Sequence, residues 1–159
     1  MNYNVPLVPQ PTNFSCWAAS IAMILSWKRN QSIAPQTIAA NVGGINYMPQ
    51  FKRGLNPNDK YILQRNGFEL DAPQCYTPQA VQRLLSLYGP LWVATAVPSP
   101  HIRVVTGVSG GMLSINDPWP PKKGAQYKRT IQEFFGKMED LGASELNQAS
   151  PVYVAYMRL

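Results

Sequence analysis

Apolar side chains recur at helical spacing near the start of the chain: Trp17, Ile21, Ile24 and Leu25, with Ala18, Ala19 and Ala22 among them. This predicts a helix from about Ser15 to Trp27, with Ser15 placed to cap its first turn. Ahead of it, Val5-Pro6-Leu7-Val8 has the composition of a short edge strand, where proline is tolerated, and Pro9–Phe14 is a loop. A second helix is expected over Pro35–Val42, opened by proline and closed by Gly43-Gly44. Residues 45–57 carry no period, and Asn58–Arg65 suggests a short helix stopped by Asn66-Gly67.

The period then changes. Phe68–Ala72 is a short strand candidate, and Thr77-Pro78 begins a helix with Val81, Leu84, Leu85 and Tyr88 on one face, ended by Gly89-Pro90. Leu91–Val97, His101–Ser109, Met112–Asp117 and Val152–Arg158 are rich in β-branched and aromatic residues and predict strands, two of them joined by a Ser109-Gly110-Gly111 turn. Thr130 with Glu133 three positions on forms a capping box for a helix over about Ile131–Met138. Helices first and strands afterwards imply an α+β domain, with an N-terminal helical half packed on an antiparallel sheet. At 159 residues one domain, 1–159, is expected.

Composition adds exclusions. The net charge of +6 is spread over short pairs such as Lys52-Arg53, Lys122-Lys123 and Lys128-Arg129, which favours a solvated basic surface over a nucleic-acid site. No apolar run is long enough to span a membrane, so no membrane partner is expected. Met1-Asn2-Tyr3-Asn4 is not the start of a Sec-type signal, which implies synthesis in the cytosol. Two cysteines make no disulfide framework, and with one histidine they are too few for an ordinary zinc site. Cys16 and Cys75 are therefore expected as free thiols, with Cys75 incidental or structural, and no cofactor or metal is expected.

The candidate chemistry gathers around Cys16. A cysteine opening a helix sits where unpaired N–H groups and the helix dipole favour the thiolate. Gln10, six residues earlier, arrives on the preceding loop, where its amide can face an oxyanion forming beside the sulfur. His101, the lone histidine, begins one predicted strand, and Asp117 ends the next. An antiparallel hairpin brings those two ends together, so Asp117 can orient the imidazole. Asn116 is the competing orienter; Asp117 is favoured because it shares strand parity with Leu113 and Ile115. Each residue alone has a bland explanation, such as a buried thiol, a structural histidine or an Asp-Pro turn. Their joint order is what points to nucleophilic acyl chemistry.

Gln10…Ser15-Cys16-Trp17 followed by His101 and Asp117 resembles the papain-like cysteine proteases over essentially the whole chain. Asn13 and Phe14 replace the first Gly and Cys of the cathepsin signature, so the chain departs from that branch. The segment Gly89-Pro90-Leu91-Trp92-Val93…His101…Asn116-Asp117-Pro118-Trp119 is similar instead to bacterial double-glycine peptidase domains and papain-like effector proteases. The resemblance implies Cys16 as nucleophile, His101 as base and acid, Asp117 as orienter and Gln10 as oxyanion donor, acting on a protein or peptide. It also implies a narrow pocket for Gly-Gly before the cut.

Cys16 lies close to Met1 and the sequence finishes on a predicted strand, so neither a pro-segment nor a tail is expected to silence it. A toxin or effector follows as the expectation. It would be exported by a specialised route, act in a target-cell cytosol and be restrained in the producer by a cognate inhibitor. The rivals are a glutamine deamidase or transglutaminase, a cell-wall peptide amidase, and a binding module on an inactive protease scaffold.

Overall fold

The computed structural model describes residues 1–43, 59, 61–72, 74–95, 101–135 and 153–158. Along the chain these form α1 (Cys16–Arg29), α2 (Pro35–Gly43), α3 (Tyr61–Arg65), β1 (Phe68–Leu70), α4 (Pro78–Tyr88) and β2 (Leu91–Thr95). There follow β3 (His101–Ser109), β4 (Met112–Asp117), β5 (Ala125–Thr130), α5 (Ile131–Phe135) and β6 (Tyr153–Met157). The described strands make one six-stranded sheet in the order β1-β6-β2-β3-β4-β5. Every neighbouring pair is antiparallel. The α+β class expected from the sequence is the class observed.

Alternation along the strands separates two apolar layers. Trp92, Ile102, Val104 and Ala155 meet Trp17, Ile21 and Ile24 of α1 and Ile38 of α2. Leu91, Val93, Val105, Leu113, Ile115 and Val154 form the other layer, covered by Val81 and Leu85 of α4 and Phe134 of α5. Helices therefore cover both faces of the sheet, whereas the sequence suggested one helical half against it.

Local signals explain several elements. Gly110 and Gly111 have φ of 56° and 76°, as a two-residue hairpin between β3 and β4 demands. Thr77 Oγ1 accepts from the Ala80 N–H at 3.1 Å to cap α4. The Thr130–Glu133 capping box is complete, with reciprocal bonds of 2.9 and 3.1 Å.

Two expectations are corrected, and one strand goes unsignalled by the sequence. Val5–Val8 is not a strand: Pro6 has no N–H to give a ladder, and the N-terminal segment pairs with β3 only as an isolated bridge, Asn2 to Gly107. Ser15 does not cap α1. Its Oγ instead accepts from the Thr12 N–H and hydroxyl at 3.0 and 2.8 Å, folding the loop ahead of the helix. β5 was absent from the expectations, because an edge strand reading Ala-Gln-Tyr-Lys-Arg-Thr has no buried face to leave a hydrophobic mark. The irregular 45–57 segment and the ends of several expected elements, among them 96–97 and 136–138, lie outside the described residues.

Candidate active site

The N-terminus of α1 is set against β2 and the start of β3 by core packing and two polar ties. Ser20 Oγ donates to the Ile102 carbonyl at 3.5 Å, and Trp92 Nε1 donates to the Trp17 carbonyl at 3.4 Å. Cys16, the first residue of α1, is half-buried, and its thiol lies near enough to the His101 imidazole to help raise that group's pKa. Cys75 is exposed, in the segment between β1 and α4.

His101 Nε2 lies 2.6 Å from Asp117 Oδ1. An ionised carboxylate can only accept, so Nε2 carries the proton and Nδ1 is left for the sulfur. Hairpin register produces this meeting. A bulge between Val105 and Gly107 shifts the pairing so that Val104 faces Asn116, which brings the end of β4 beside the first residues of β3. The same register sends Asn116 to the opposite face. There Asn116 is buried, its Nδ2 donating to the Val5 carbonyl at 2.9 Å and its Oδ1 accepting from Gln126 at 2.9 Å. Asn116 thus ties down the N-terminal segment, and the imidazole belongs to Asp117.

Electrostatics follows from these contacts. Burial pushes the His101 imidazolium down, but hydrogen bonds to Asp117 and Cys16 and the attraction of both outweigh it, raising the pKa to about 9. Burial pushes the Asp117 carboxyl up. His101, the Tyr127 hydroxyl and the Trp119 N–H overcome that and hold it below its ordinary value. The site therefore favours a charged imidazolium beside an ionised Asp117 carboxylate.

Gln10 is fully buried on the loop into α1. Its backbone N–H donates to Pro118 at 3.0 Å and its carbonyl accepts from Lys122 at 2.9 Å, fastening this loop to the one that follows Asp117. Its Nε2 donates to the Thr12 carbonyl at 2.7 Å, and Oε1 has no hydrogen-bond partner among the described residues. That bond uses one of two amide protons, and the second remains as a donor. Sequence reasoning missed Tyr127, whose hydroxyl donates to Asp117 Oδ2 at 2.7 Å. Its only advance signal was a lone aromatic in a polar edge strand.

A thiol at a helix N-terminus, an imidazole and a carboxylate, carried by one helix and an antiparallel sheet, define a papain-like cysteine peptidase. The chain belongs to the family described as papain-like cysteine protease AvrRpt2, whose model matches residues 1–139. Solved structures share the fold. One is a double-glycine motif protease from an AMS/PCAT transporter in complex with the leader peptide, with TM-score 0.61 and 20% identity over 99% of this chain and 94% of that one. Another is the peptidase domain of Streptococcus ComA, a bi-functional ABC transporter involved in a quorum-sensing pathway, with TM-score 0.60 and 15% identity over 98% and 100% of the two chains. No curated protein sequence matches this one.

Proposed function

We propose that this peptidase hydrolyses peptide bonds of a protein or peptide substrate, with Cys16 as nucleophile, His101 as acid and base and Asp117 as orienter. The Cys16 thiolate attacks the scissile carbonyl carbon, and the carbonyl electrons move onto oxygen, held by the Cys16 N–H and the spare Gln10 Nε2 proton. The tetrahedral adduct collapses as the C–N bond breaks, with His101 giving its proton to the departing amine. Water then attacks the thioester. His101 takes one water proton, the C–S bond breaks, and the carboxylic product leaves with the thiolate restored. The observation that carries this reading is the sharing of one imidazole between the Cys16 sulfur and the Asp117 carboxylate.

The neighbour solved with a leader peptide supports a peptide substrate, and the double-glycine likeness supports cleavage after Gly-Gly. The natural role is that of a bacterial effector or toxin, exported to a target-cell cytosol and restrained in the producer by a cognate inhibitor. Mass spectrometry of new N-termini in cells expressing the active chain or Cys16→Ala tests this reading. Cuts after Gly-Gly that vanish with the sulfur support it. Ammonia release or crosslinks without new N-termini would move the activity to deamidation or transglutamination.

A further inference from the structure

Asp117 Oδ2, the oxygen turned away from His101, is occupied by the Tyr127 hydroxyl at 2.7 Å. Arg103 Nη1 donates to that same hydroxyl at 3.2 Å. Arginine has donors only, so the phenolic oxygen accepts from Arg103 and its own proton is directed to the carboxylate. Arg103 is itself fixed, with Nη2 donating to Thr95 Oγ1 at 2.6 Å and its guanidinium 4.4 Å from the Phe134 ring centroid. Sheet register puts these groups together. His101 and Arg103 alternate onto one face of β3, while Tyr127 of β5 pairs with Ile115, two residues before Asp117 on β4.

We propose that Tyr127, backed by Arg103, is a positioning residue that fixes the plane of the Asp117 carboxylate and keeps Oδ1 on His101. This rests on the reading of Cys16, His101 and Asp117 as the reacting set. Oδ1 accepts from both His101 Nε2 at 2.6 Å and the Trp119 N–H at 2.9 Å. With Oδ2 unheld the carboxylate can still pivot about its Cβ–Cγ bond and give up the imidazole for the backbone donor; a directed donor on Oδ2 removes that freedom. The chain of partners runs from β2 through β3 and β5 to β4, and it is anchored beneath by α5. Peptide-bond chemistry needs nothing from the tyrosine itself, which touches neither sulfur nor imidazole.

His101 is the only histidine, so its NMR titration can be followed directly. The groups facing its imidazole are Cys16 of α1 and Asp117 of β4, with Tyr127 of β5 and Arg103 of β3 behind the carboxylate. Tyr127→Phe keeps the ring, including its face 4.6 Å from the Arg129 guanidinium, and deletes only the hydroxyl. If the hydroxyl positions Asp117, the freed carboxylate drifts off the imidazole and the His101 pKa falls by about one unit, the scale of a hydrogen bond to a charged group. If Asp117 stays in place without the hydroxyl, it becomes a stronger base and the His101 pKa rises. An unchanged or raised value in folded Tyr127→Phe therefore overturns the proposal. Arg103→Lys, whose single ammonium lacks the guanidinium fork, should give a smaller fall in the same direction. Should Tyr127→Phe fail to fold, an unmoved titration in Arg103→Lys overturns the proposal alone. The titration uses no substrate, so it stays separable from peptidase activity: peptide cleavage persisting in Cys16→Ala would remove the catalytic reading without touching this result.

Discussion

His101 Nε2 and Asp117 Oδ1 stand 2.6 Å apart, joining the first residue of β3 to the last of β4. A charge-assisted bond of this length stabilises the imidazolium, and the Cys16 sulfur adds to that from the other side. His101 should therefore titrate near pH 9. Because the folded-state pKa lies above the ordinary value, its contribution to stability is complete below about pH 6.5 and is lost as pH rises through about 9. Asp117 runs the other way: its contribution is present above its unfolded value of about 3.9 and is lost as pH falls through its depressed folded value. NMR titration of the single imidazole, beside denaturant melts across pH, checks both limbs.

Alkylation of Cys16 by iodoacetamide reports on the same imidazole chemically. In a Cys75→Ser background, which removes the exposed thiol, labelling reads the reactivity of Cys16 alone. Asp117→Asn should slow that labelling, because the imidazole beside the sulfur loses its orienting partner, and bring the His101 titration down toward about 6.5. Turnover in Asp117→Asn should fall steeply yet exceed that of Cys16→Ala. Labelling of Asp117→Asn at the parental rate would sink the orienter role.

Gln10→Ala should lower kcat by about 10²–10³, the usual cost of one oxyanion donor, with a smaller change in KM. The buried amide also ties Thr12 into the loop before α1, a structural role distinct from oxyanion donation. Iodoacetamide separates the two contributions, because alkylation forms no oxyanion. A variant slow in turnover but normal in alkylation has lost the donor; one slow in both has lost the loop.

The constellation was legible because each part sits where local sequence speaks: a cysteine at a helix start, a histidine and an aspartate at opposite ends of a Gly-Gly hairpin. The Thr130–Glu133 capping box and the periodic faces of α1 and α4 were legible for the same reason. What escaped depends on distant pairing. Ser15 carried the residue type of a cap, but its φ of −105° and ψ of 22° turn the side chain back to Thr12. Tyr127 escaped with β5, since an exposed edge strand is held by backbone bonds that any sequence can make. The bulge between Val105 and Gly107 has no side-chain signature, though it decides that Val104 faces Asn116.

Gly107 offers a stability test remote from catalysis. A Cβ there would lie 2.4 Å from the Met1 carbonyl oxygen and 2.7 Å from the Asn2 Cα, both backbone atoms of the segment crossing β3. Gly107→Ala must push that segment away, breaking the Tyr3 N–H bond to Thr106 and the Val108 N–H bond to Met1. A loss of about 1–3 kcal/mol is expected in urea melts, the range for overpacking a tight site. An unchanged midpoint would mean that the N-terminal segment adds nothing to the fold.

Asn116→Ala separates the two neighbours that the sequence left in competition. Asn116 is buried, and its amide bridges the Val5 carbonyl to Gln126 across three segments of chain. Removing it leaves the Val5 carbonyl without that donor, which should cost about 1–3 kcal/mol in a denaturant melt. It touches neither His101 nor the partners of Asp117, so the imidazole titration near pH 9 should persist while the protein remains folded. A folded Asn116→Ala protein whose histidine titrates at its ordinary value would shift the orienting role to the asparagine and away from the carboxylate beside it.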